Sequence, residues 1–244
     1  MNFFTRISAI VAVTASMTAT AVSAGTVALF ADVNIFTNYI GNAGNQTVLS
    51  NLLGGGTSVH VNSNPGYLST QSNVTGYYNS LGGVSASSST GSLSAASLSG
   101  IDLLFLDIGF NANNHTASDI SLISNFISSG GDVGIQVESD SISGINSFLT
   151  AIGLSMQLTS PRVNGGYQAA DTILSTALTA GVNSFEFAAN NGITGGTAAI
   201  SDGGSVLVAF QEISPSPVPV PAAFPLLLAA LGSLGVVARR RKTA

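Results

Sequence analysis

The chain has 244 residues, of which only 7% are charged, against about 25% in an average soluble domain. It contains no cysteine, which excludes a disulfide framework, a thiolate metal site and a cysteine nucleophile. All eleven acidic residues lie between positions 32 and 212, where Arg162 is the one base, so this region repels polyanions and nucleic acid is excluded as a partner.

The opening stretch MNFFTRISAIVAVTASMTATAVSA, residues 1–24, combines one base at Arg6 with an apolar run from Ile7 to Val13. Val22 and Ala24 supply the small residues of a cleavage site. Together they read as a secretory signal peptide, which starts the mature chain at Gly25.

Residues 25–212 form the exported domain. TVALFAD is a short apolar run closed by Asp32, a strand. NQTVLSNLLGGG places Val48, Leu49, Leu52 and Leu53 on one helical face before a glycine stop. Because LLGGGTS follows that helix instead of opening one, it is not a phosphate cradle, which needs free N–H groups at a helix start. TSVHVNS is a second strand, and the polar tract Asn62–Ser99, with few apolar anchors, is predicted to be an irregular excursion. IDLLFLD has no polar residue between Asp102 and Asp107 and reads as a fully buried strand. SDISLISNFISSGG brings Ile120, Ile123, Phe126 and Ile127 to one helical face, with Ser118 as the expected cap and Gly130 as the stop. DVGIQV is another strand and SISGINSFLTAIG another helix; NSFEFAA, GTAAIS and SVLVAFQE then suit a short-stranded antiparallel extension.

Strands alternating with helices imply right-handed crossovers and an α/β fold, with a mostly parallel sheet covered on both faces and a β-rich C-terminal extension. In such a sheet the strand C-termini share one edge, where ligands bind. Asp32, Asp107, Glu138 and Asp140 each follow a strand and are expected to gather there. Their oxygens could hold a hard cation such as calcium; alternatively each caps the turn or helix that follows. Ser139 could act as a nucleophile only beside Glu138 and Asp140, whose charge opposes an oxyanion. His60 and His115 are expected at the surface or at a strand edge. With no Trp and five Tyr, the chain lacks the aromatic supply common in sugar clefts. This favours a non-catalytic binding or structural protein over its alternative, a secreted hydrolase using paired carboxylates in an acidic crevice.

Beyond the domain, residues 213–221, which contain SPSPVPVP, are an extended linker. The run 218–238 is 21 residues without a charge, enough at about 1.5 Å per residue to cross a roughly 30 Å hydrocarbon layer, and a transmembrane helix is predicted at 222–238. Arg239, Arg240, Arg241 and Lys242, in the tail 239–244, mark the cytoplasmic side and place the domain outside, in agreement with the signal peptide.

Two resemblances follow from these residues. Val218-Pro219-Val220-Pro221-Ala222, an apolar helix, and Arg239 to Lys242 in that order resemble the PEP-CTERM sorting signal in its VPLPA variant, with Val220 where the variant has Leu. The resemblance implies cleavage by an exosortase, a membrane protease. It also implies an exported protein of a Gram-negative envelope, anchored in the inner membrane before processing and then placed at the cell surface or in the extracellular matrix. Exopolysaccharide or surface proteins are the partners it suggests. Separately, IDLLFLD, the helix after it, DVGIQVES and NSFLTAIGL resemble class I glutamine amidotransferase-like domains, which implies a flavodoxin-like three-layer sandwich. The catalytic turn of those enzymes corresponds to Val137-Glu138-Ser139-Asp140, without their cysteine and without a later His-x-Glu.

Overall fold

The computed structural model describes residues 25–63, 68–110, 114–163 and 165–213. The signal peptide, most of the linker, the apolar span and the basic tail lie outside the described residues. Among the described residues no helix is long and apolar enough to cross a membrane.

The chain runs β1 (Gly25–Phe30), α1 (Asn34–Thr37), α2 (Ala43–Leu53), β2 (Ser58–Ser63), α3 (Leu68–Ser80), β3 (Ser85–Thr90), β4 (Leu103–Gly109), α4 (Ala117–Ser128), β5 (Asp132–Val137) and α5 (Ile142–Ala151). The remainder is strand and loop: β6 (Gln157–Leu158), β7 (Gln168–Ala169), β8 (Thr172–Ile173), β9 (Glu186–Phe187), β10 (Ile193–Thr194), β11 (Thr197–Asp202) and β12 (Ser205–Ile213). Eight of the strands make one sheet in the order β3-β2-β4-β5-β1-β12-β11-β8. The run from β3 to β1 is parallel throughout, and β12, β11 and β8 extend it antiparallel. The mixed α/β architecture and its antiparallel extension are therefore those expected from the alternation of patterns.

The strand order departs from the flavodoxin-like expectation. A flavodoxin sheet runs 2-1-3-4-5, with its first strand inside. Here β1 lies beyond β5, because every residue of β1 pairs with β12, from Gly25 opposite Ile213 to Phe30 opposite Val208. That antiparallel register fixes β1 at the junction of the two halves of the sheet.

Strand alternation divides the core into two layers. On one face Leu29, Leu104, Leu106 and Ile135 meet Ile123 of α4 and Phe148 of α5. On the other Phe30, Phe105 and Val61 meet Ile35 of α1, Leu49 of α2 and Val74 of α3. The rings of Phe30, Phe36 and Phe105 form an edge-to-face cluster, with centroids 4.9 Å apart for Phe30–Phe36 and 5.5 Å for Phe36–Phe105. A Cβ at Gly134 would come within 2.7 Å of Phe105 and 3.0 Å of Leu52, so glycine there lets α2 lie directly against β5. Gly54 ends α2 with φ of 59°, the left-handed stop the glycine run implied.

Two local expectations need correction. The tract 62–99 is not irregular: it contains α3 and β3. In α3 the fully buried apolar side chains are Val74 and Tyr78, and much of its cohesion is polar, as when Tyr78 Oη donates to the Leu49 carbonyl at 2.9 Å. Hydrophobic periodicity does not register such a helix. The cap of α4 is Thr116, not Ser118: its Oγ1 accepts from Asp119 N at 3.2 Å while Asp119 Oδ2 accepts from Thr116 N at 2.8 Å, a reciprocal capping box.

Candidate functional site at the C-terminal strand edge

Helices leave neighbouring strands toward opposite faces at two places. The β5/β1 junction separates α5 on one face from α1 and α2 on the other, and the β2/β4 junction separates α3 from α4. Such divergence opens a crevice outside the strand ends. Each junction holds a buried aspartate.

At the β5/β1 junction Asp32 follows β1 directly and is 0% exposed. Its Oδ1 accepts from Asn34 N and Asn34 Nδ2, both at 2.7 Å, and its Oδ2 accepts from Ala188 N at 2.6 Å. Burial pushes its pKa from 3.8 to about 7, against the pull of the Ala188 and Asn34 donors, with a hydrogen bond to Glu138 adding to the rise. The Asn34 amide also donates to Glu138 Oε2 at 3.2 Å and so joins the two carboxyl groups. Glu138 Oε1 accepts from Arg162 Nη1 at 2.8 Å, and Arg162 Nη2 reaches Asp140 Oδ2 at 3.2 Å. The guanidinium carbon lies 5.1 Å from the Phe110 ring centroid, within cation–π range.

The loop that carries Arg162 is fastened to the turn after β5. Arg162 N donates to the Ser139 carbonyl at 3.1 Å. The Asn191 side chain accepts from Ser139 N at 2.9 Å and donates to the carbonyls of Ser139 and Ser160 at 2.8 and 2.7 Å. Ser139 is itself buried, its Oγ accepting from Ser141 N at 3.1 Å and lying 2.9 Å from the Ser141 carbonyl. That hydroxyl organises a turn. His115, the base a serine nucleophile would need, stacks instead on Phe148 with centroids 5.0 Å apart.

The β2/β4 junction is built differently. Asp107, near the end of β4, is 1% exposed, and its Oδ2 accepts from Ser63 Oγ at 2.9 Å. Its Oδ1 has no partner. Gln136 of β5, its neighbour in register, donates through Nε2 to the Val33 carbonyl at 2.8 Å and to Thr70 Oγ1 at 3.2 Å, but its Oε1 is likewise buried without a donor. Burial pushes Asp107 up to about 7, while the Ser63 hydrogen bond pulls it back.

The four carboxylates thus share an edge but not a point. Asp32 and Glu138 meet through Asn34, Glu138 and Asp140 through Arg162, and Asp107 is held at the other junction. Among the described residues no three carboxylate or imidazole side chains converge as a cation site requires. Between Glu138 and Asp140 stands the Arg162 guanidinium, paired with both. His60 also differs from expectation. It is buried in β2, inside the sheet edge, with its ring nitrogens 2.9 Å from Ser87 Oγ and 2.8 Å from Ser89 Oγ.

Sequence reasoning passed over Asn34, Gln136 and Asn191, since amides in a chain rich in Asn carry no pattern. Arg162 stands out in the sequence only as the one base of the domain among eleven acids. At the opposite edge of the sheet a groove of about 460 Å³ runs between Gly54, Ile101, Asp102 and Asp132. Its carboxylates serve strand starts, Asp102 Oδ2 accepting from Thr57 N at 2.7 Å and Asp132 Oδ1 from Thr26 N at 2.8 Å.

A family model for the PEP-CTERM protein-sorting motif matches residues 217–242, the segment from the Val218–Ala222 motif through Arg239–Lys242. The chain therefore carries an exosortase sorting signal and is an exported protein. A comparison with curated proteins finds no match.

Proposed function

We propose that the exported domain is a non-catalytic component of the envelope or extracellular matrix. Its role is to bind or to build, and an exosortase processes the tail that delivers it. In this reading the domain keeps the three-layer shape of glutamine amidotransferase-like proteins without their chemistry, and its partners are exopolysaccharide or other surface proteins. The observation that carries it is the state of the polar groups at the strand edge. Ser139 is tied into a turn, Glu138 and Asp140 are bound to Arg162, and Asp32 is enclosed by three donors. The raised pKa values of Asp32 and Asp107 suit a general acid, yet side chains 0% and 1% exposed do not reach a polymer, which speaks against the hydrolase alternative.

Two measurements test this. Intact mass of protein taken from the envelope or medium should lack residues 1–24 and most of the chain after Pro221; retention of Arg239–Lys242 in most molecules would leave a permanently anchored protein. A screen of the purified protein against ester, amide and glycoside substrates should show no turnover. Turnover abolished by Ser139→Ala or Glu138→Gln would overturn the non-catalytic reading.

A further inference from the structure

The exposed edge of the sheet at β3 is unusual in what it lacks. Edge strands present unpaired N–H and C=O groups, and soluble proteins guard them with charge, proline, bulges or brevity. The sequence of β3, SASSST, has no charge and no proline, and it pairs with β2 in unbroken register from Ser85 opposite Ser58 to Thr90 opposite Ser63. Ser85, Ser87, Ser88 and Thr90 are exposed, and among the described residues no strand lies beyond them.

Charge distribution marks the same face. No Asp, Glu, Lys or Arg occurs from residue 33 to residue 101, the stretch that supplies β3, its neighbour β2 and the helix α3 that packs on both. Every acidic residue of the domain lies elsewhere. Two copies approaching through this face meet no like charge.

The backbone sets a register. Ser85 N donates to the Thr57 carbonyl at 2.8 Å, so Ser85, Ser87 and Ser89 turn their backbone groups toward β2, and Ala86, Ser88 and Thr90 turn theirs outward. Ala86 is already served: its N–H donates to Asn79 Oδ1 at 2.8 Å, and Asn79 Nδ2 donates to its carbonyl at 3.1 Å. Asn79 therefore blocks one end of the edge and leaves Ser88 and Thr90 open. Gly91, at φ of 82°, turns the chain away beyond them.

We propose that β3 is a self-association edge, pairing antiparallel with β3 of a second copy about a two-fold axis at Ser89. Ser88 of each copy then faces Thr90 of the other, and each such pair exchanges both N–H···O bonds while the Asn79 caps stay in place. The side chains along the edge are small and uncharged and form no pockets that would select a foreign peptide, whereas the open segment complements itself. The far edge, β8, is too short to compete, at two residues. A contact of this size is weak in dilute solution and gains strength where the sorting signal concentrates copies on one surface. The two-fold closes on itself and gives dimers.

Disulfide trapping tests the register, because the full chain has no cysteine and each variant carries a single thiol. In this pairing Ser89 stands opposite itself in a non-hydrogen-bonded pair, with Cα atoms about 4.5 Å apart, inside the range a disulfide spans. Full-length Ser89→Cys, in detergent at micromolar concentration under mild oxidation, should cross-link to dimer at least tenfold faster than Ser87→Cys, which faces Gly91 of the other copy. Ser88→Pro added to Ser89→Cys removes an outward N–H and should cut the rate by a similar factor with the melting temperature retained. Equal rates at positions 87 and 89, a faster rate at 87, or no cross-link at either overturns the proposal, and this comparison decides even if the proline variant fails to fold.

Discussion

Asp32 and Asp107 occupy equivalent places, each buried at the C-terminal end of a central strand, and burial pushes both carboxyls up to about 7. Their surroundings differ. Both oxygens of Asp32 accept hydrogen bonds, and a guanidinium stands one residue away through Glu138. Asp107 has one oxygen that accepts from Ser63 and one without a partner, and Oε1 of Gln136, its neighbour in register, lacks a partner as well. A carboxylate enclosed by donors has its charge partly compensated by them, against the burial that disfavours it. A buried carboxyl with an unsatisfied oxygen is least costly when protonated, because the proton removes the buried charge.

The largest expected effect is on pH dependence. A carboxyl whose folded pKa is raised above its unfolded value contributes stability that is fully present below the unfolded value, near 3.8, and is lost as pH rises through about 7. For Asp107 a rise of this size is on the order of 4 kcal/mol, and Asp32 acts in the same direction. Chemical denaturation from pH 4 to pH 8 should show stability falling with pH. A profile that rises over that range, and rises equally in the Asp32→Asn and Asp107→Asn variants, would mean that both groups are ionised in the folded protein.

Next in size is Arg162→Ala. It leaves Glu138 buried at 2% side-chain exposure without its cation and should cost about 3–4 kcal/mol by urea denaturation. A loss below about 1 kcal/mol would place Glu138 in contact with water. Asp32→Asn sets an amide nitrogen against donors from Asn34 or Ala188 and should cost about 2 kcal/mol at pH 5. Asp107→Asn is the mildest change. An amide of the same shape has no charge to bury and its oxygen can keep Ser63, so stability at pH 5 should move by less than about 1 kcal/mol and the decline toward pH 8 should flatten. If Asp32→Asn and Asp107→Asn behave alike, the contrast between the two junctions fails.

Residues that carry a period were readable in advance. Val48, Leu49, Leu52 and Leu53 announced α2, the apolar run 103–106 announced β4, and SVLVAFQE announced β12, because burying one face or two faces of an element imposes a repeat on the chain. Helix α3 and strand β3 were not readable, since their side chains are held largely by hydroxyls and amides whose partners lie far along the sequence. The same holds for the site. That strand-end carboxylates would share an edge followed from parallel strands, but which oxygens would find donors did not: Ala188, which donates to Asp32, is 156 residues away.

The amino-acid sequence by itself determined the address of this protein, through a sorting motif at 217–242 whose proline pair, apolar run and basic stop are read locally. It also determined the alternation that makes an α/β domain. Tertiary structure alone decided that β1 stands between β5 and β12, that Arg162 closes over Glu138 and Asp140, and that Asp107 keeps an unmatched oxygen. Local patterns report how a segment partitions between water and core. Strand order, ion pairing and hydrogen-bond satisfaction depend on which distant segments arrive beside it.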